Sequence, residues 1–62
     1  MNITFYFPNG HVWKGTEDEV NGAIGLSGLD KNNIRLALNF WKESTSVNEF
    51  HFRSGHKLVI VG

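Results

Sequence analysis

Two segments near opposite ends of the chain share one pattern. Phe5-Tyr6-Phe7-Pro8-Asn9-Gly10-His11 and Phe50-His51-Phe52-Arg53-Ser54-Gly55-His56 both read Phe-x-Phe-x-polar-Gly-His. In each, alternating aromatic residues give the period of a half-buried strand. Each then runs into a turn whose last residue is glycine, which can take the left-handed backbone that closes a three-residue hairpin loop. In the first segment proline also presets φ at the opening turn position. Two hairpins meeting the same turn rules account for the match, and one pair of segments falls short of a stacked repeat array.

The loop length fixes the register. A Pro8-Asn9-Gly10 loop pairs Phe7 with His11, Tyr6 with Val12 and Phe5 with Trp13, so Ile3, Phe5, Phe7 and Trp13 share a face. A tighter Asn9-Gly10 turn would pair Phe7 with Val12 and lose that match. An Arg53-Ser54-Gly55 loop likewise pairs Phe52 with His56 and Phe50 with Leu58. Ile60 continues that inner face, while His51, Lys57, Val59 and Val61 point outward. Lys57-Leu58-Val59-Ile60-Val61 is apolar on both faces, as an interior strand is. The first and fourth strands are therefore expected at the centre of the sheet, with the second and third at its edges.

Between the hairpins the period changes to that of helices. Thr16-Glu17-Asp18-Glu19 has capping-box spacing, and its acids suit the positive end of a helix. Val20, Ala23 and Ile24 give this first helix an apolar edge, and it is expected to end near Gly25. Asp30 is read as the cap of a second helix running to about Glu43, before Ser44-Thr45-Ser46. On that helix Ile34, Ala37, Leu38 and Trp41 form one stripe. Leu36 and Phe40 widen it to roughly 200° of arc, well beyond the ~100° of an ordinary surface helix. Lys31, Arg35, Asn39 and Lys42 fill the polar sector.

The expected fold is thus a single α+β domain over residues 1–62: ββ-αα-ββ, a four-stranded antiparallel sheet with two helices on one face. Sixty-two residues bury only about 60% of the surface of the unfolded chain, and there is no cysteine to supply disulfides, thiolate metal sites or a thiol nucleophile. One sheet face cannot cover the whole apolar arc of the second helix, so either the first helix or another chain must cover Leu36 and Phe40. On the far side of the sheet Tyr6, Val12, Val59 and Val61 are left as an apolar cluster. Self-association, as a homodimer or larger, follows from this surplus, and Tyr6, Val12, Leu36, Phe40, Trp41, Val59 and Val61 are the expected protein-interface residues. Trp41 also reads as ordinary core.

Other chemistries find less support. His11 and His56, with His51, Arg53, Lys14 and Lys57 nearby, would suit a small ribonuclease only if the two loops faced each other across a cleft. The three histidines lack ligand spacing for a metal, and His51 and His56 fall on opposite faces. The middle of the chain, Val20–Lys42, resembles a helix-turn-helix with Gly25 at the turn and the C-terminal hairpin as a wing, which would direct Lys31, Arg35, Asn39 and Lys42 to nucleic acid. However, Lys31 stands where that motif wants an apolar residue. Six basic and six acidic side chains also give a net charge of zero, too little to neutralise several phosphates. Gly22-x-x-Gly25-x-x-Gly28 lacks the Lys-Ser/Thr of a phosphate loop. The aromatic alternation fits a core better than a base-stacking platform. The longest apolar run, Leu58–Val61, is far short of a membrane span, and the N-terminus has no export signal, so a soluble cytoplasmic domain is expected. The functional expectation is a small non-enzymatic protein-binding module that needs no cofactor or metal. It would act as a regulator or inhibitor by occupying a surface of an unidentified protein.

Overall fold

The computed structural model describes all 62 residues. Strands β1 (Asn2–Tyr6) and β2 (Val12–Gly15) lead into a short helix α1 (Glu17–Val20). The long helix α2 (Gly28–Glu43) follows, then strands β3 (Glu49–His51) and β4 (Lys57–Val61). The four strands form one antiparallel sheet in the order β2-β1-β4-β3, placing the first and last strands at its centre as their two-sided apolarity requires.

Both hairpins close as their turn residues dictate. Phe7 N–H donates to His11 O at 2.9 Å and Phe52 N–H to His56 O at 2.9 Å, and the two loops end on Gly10 and Gly55 at φ of 91° and 94°. The pairs Phe5–Trp13, Tyr6–Val12 and Phe50–Leu58 follow from the loop length. The centre of the sheet is set by Ile3 opposite Ile60 and Phe5 opposite Leu58. The loops lie side by side at one end of the sheet, where a Cβ on Gly55 would come within 3.2 Å of the Pro8 ring.

The core is a single layer between sheet and helix. Ile3, Phe5, Leu58 and Ile60 from the central strands meet Ile34, Ala37 and Leu38 of α2, with Val20 and Leu26 closing one end. Phe7, Trp13, Trp41, Phe50 and Phe52 pack around its margin. Trp13 lies over Gly15, where an added Cβ would stand 2.7 Å from the indole ring. Trp41 is a half-buried part of this margin, set against Gly62.

The helical middle departs from expectation in two places. The first helix ends at Val20, not near Gly25, and residues 21–26 run as turns. Gly22 and Gly25 each weaken a helix by about 1 kcal/mol relative to alanine, and Ile24, read as part of an apolar edge, is fully solvent-exposed. The cap of α2 is Ser27, not Asp30. Asp30 N–H donates to Ser27 Oγ at 3.1 Å, and the Asp30 carboxylate accepts from Ser27 N–H at 3.4 Å. Asp30 is therefore the third helical residue of a capping box. At the other end α2 stops at Glu43, with Ser44 N–H donating to Phe40 O. No helix is long and apolar enough to cross a membrane.

Candidate functional site

The apolar surplus of α2 is partly resolved by where α1 sits. Val20 packs into the core, and the three basic residues of the polar sector reach across to α1 and the turn after it. Lys42 Nζ meets Glu17 Oε1 at 2.7 Å, Lys31 Nζ donates to Asn21 O at 3.1 Å, and Arg35 donates to the side chains of Asn21 and Asn32. α1 is thus held on the basic side of α2, so the Leu36/Phe40 flank on the opposite side is left uncovered by this chain. Leu36 is 67% exposed and Phe40 53%.

That flank forms one wall of a groove of about 440 Å³. Leu36, Ala37 and Phe40 line it from α2, Phe50 and Phe52 from β3 and its loop, and Val47 from the connection between them. The Phe40 and Phe50 rings meet edge to face at 5.9 Å, an arrangement favoured by their quadrupoles. Glu49 and His51 stand at the rim, their side chains joined at 2.8 Å between Oε1 and Nε2. Beyond them lies the open edge of β3, which has no neighbouring strand. An apolar trough beside an unpaired strand edge can take up an apolar side-chain row and backbone hydrogen bonds together.

The expected interface residues divide between two surfaces. Leu36 and Phe40 come together in the groove. Tyr6, Val12, Val59 and Val61 lie on the far face of the sheet, where Val61 is 60% exposed. They do not form a continuous patch, because the register interleaves them with polar neighbours. Tyr6 adjoins Val12 on one side and Lys57 on the other, Val59 lies between Thr4 and Glu49, and Val61 is opposite Asn2. The Lys57 ammonium sits 4.7 Å above the Tyr6 ring, a favourable cation–π placement. Trp41 belongs to neither surface. Val47, Phe50 and Phe52 complete the groove and were not among the expected interface residues. Phe50 and Phe52 have the alternation of inner-face core, yet both are only half-buried and line the groove.

The histidines are placed differently from one another. His11 is exposed, its backbone N–H donating to Asn9 Oδ1. His51 is on the outer face with Glu49. His56 is largely covered, its ring stacked on Phe5 at 5.1 Å and edge-on to Phe7 at 5.3 Å. Its Nδ1 lies 2.6 Å from Ser54 Oγ and its Nε2 3.6 Å from Asp30 Oδ1. The line Ser54–His56–Asp30 ties the second hairpin loop to the capping box of α2. The four cavities are lined by other residues. No group of three His, Asp or Glu side chains is placed to hold a metal ion.

For the helix-turn-helix resemblance, the short α1 provides one turn where that motif needs a full first helix. Lys31, Arg35 and Lys42 are engaged within the chain, and Asn39 lines a shallow polar cleft with Glu17, Asn21 and Arg35. Comparison with family models, curated proteins and solved structures finds no match to this chain.

Proposed function

We propose that this chain is a small non-enzymatic protein-binding module, and that the groove between α2 and β3 is the surface it presents. The supporting observation is the exposure of Leu36 and Phe40 over a trough walled by Val47, Phe50 and Phe52. In a chain this short, each large apolar side chain left in water forgoes about 1.5–3 kcal/mol of burial, and here several are gathered in one place. Aromatic side chains in a concave apolar site are what a partner's own apolar residues anchor on. Occupying a partner through such a groove is a means of regulation or inhibition that needs no chemistry.

A photo-crosslinking amino acid placed at Phe40 tests this in the source cells, with the same group at Ile24, which is exposed away from the groove, as control. Discrete protein adducts from position 40 and none from position 24 are the expected result. If position 40 yields no protein adduct, the groove is not a protein-binding surface.

A further inference from the structure

We infer that the partner seated on this groove is a second copy of the same chain, joined through the open edge of β3 in one antiparallel register centred on Phe50. The inference rests on the reading of the groove as a protein-binding surface.

The register is set by which backbone groups are free. Asn48 O accepts from Ile60 N–H, and Phe52 N–H donates to His56 O. Hydrogen-bonded and non-bonded residues alternate along an antiparallel pair, so residues 48, 50 and 52 direct their N–H and C=O groups at β4. Glu49 and His51 direct theirs outward from the sheet, with no strand beyond. A second β3 approaching about a two-fold axis at Phe50 places Glu49 of one copy opposite His51 of the other, and His51 opposite Glu49. Both pairs use the free backbone groups, and both bring an acidic side chain against a basic one on the outer face. Shifting the axis by one residue to Glu49 sets the two Glu49 carboxylates against each other and puts His51 opposite Val47, whose N–H is already donated to Ser44 O. The Phe50-centred register thus uses the free backbone groups of both Glu49 and His51 and keeps the two carboxylates apart.

The inner face gains from the same placement. Phe50 meets its symmetry mate as a non-hydrogen-bonded pair, the closer of the two antiparallel spacings. A two-fold axis perpendicular to the sheet keeps both α2 helices on the same side, so the two grooves open towards each other. Leu36, Phe40 and Val47 of each copy then have apolar surface to meet across the joint. Short charged edge strands ordinarily discourage pairing between molecules. Glu49 and His51 do so in every register that sets like charges together, and permit it in this one.

The test is an exchange of charges followed by native mass spectrometry. Unmodified chain is expected as a dimer. Glu49→Lys alone opposes Lys to His51, and His51→Glu alone opposes two carboxylates, so each variant is expected to weaken dimerisation about tenfold or more. Mixed together, the two variants are complementary at both pairs, and heterodimers are expected to form in preference to either homodimer. Both positions are exposed, and recovery of the mixed dimer itself shows that the variants are folded. A chain that is monomeric at concentrations near a millimolar overturns the proposal, as does a mixture that yields no heterodimer. If that happens while position 40 still captures a different protein in cells, the dimer is excluded and the binding module stands. If position 40 captures nothing, both fall together.

Discussion

Single glycines show how little slack the backbone has. Gly10 and Gly55 hold the same positive-φ position in their hairpin loops but differ in surroundings. A Cβ on Gly10 would meet open space, whereas one on Gly55 would press on Pro8 at 3.2 Å. Gly10→Ala is expected to lose about 1–2 kcal/mol from the left-handed backbone alone. Gly55→Ala should lose more, because the loop–loop contact must also give way. Denaturant midpoints of the two variants, compared at unchanged slope, measure the difference. Gly15 has an ordinary backbone but carries the Trp13 ring, and Gly15→Ala is expected to destabilise the fold by about 1–3 kcal/mol through overpacking. The hairpin glycines could be identified from sequence, since turn chemistry is local. The role of Gly15 could not, because it depends on where an aromatic ring two residues away settles.

At the level of elements, the strands were more legible than the helices. Alternation of Phe5, Phe7, Phe50 and Phe52 with polar residues fixes a face and a register, and the loops fix the pairing. In the helical middle Asp30 reads as the cap of α2, but Ser27 holds that position and Asp30 is its reciprocal partner in the capping box. Ser27→Ala is expected to cost about 1 kcal/mol of stability, and Asp30→Asn less, since the amide oxygen still accepts from the Ser27 N–H. Thermal unfolding followed by circular dichroism reads both. The extent of α1 was overestimated because Ala23 and Ile24 have helical spacing after Val20, yet nothing in the fold covers Ile24. The groove was half legible. Leu36 and Phe40 stand out on a helical wheel as excess apolar arc, but Phe50 and Phe52 read as core even on an expected edge strand, because alternation does not show how far α2 reaches across them. Leu36→Asp, at an exposed position outside the core, is expected to leave the unfolding midpoint within about 0.5 kcal/mol of the parent in the monomer, while abolishing any adduct from position 40.

Across the whole molecule, stability rests on a few side chains. A chain of this size has roughly 3–9 kcal/mol to lose, and Phe5, Ile34, Leu58 and Ile60 are wholly buried in one shared layer. Leu58→Ala is expected to remove about 2–5 kcal/mol, a large share of that total, which a drop in the thermal unfolding midpoint would reveal. The order β2-β1-β4-β3 has a further consequence for how the molecule comes into being. Its central pairing, Phe5 with Leu58 and Ile3 with Ile60, joins residues more than fifty positions apart, the kind of contact that forms late because a long loop must first be closed. During synthesis, the strand that completes the core therefore leaves the ribosome after every other element it packs against. A nascent chain stalled with residues 44 onward still in the exit tunnel should remain protease-sensitive throughout. Release of Lys57–Val61 should then convert the whole of it to a resistant form in one step.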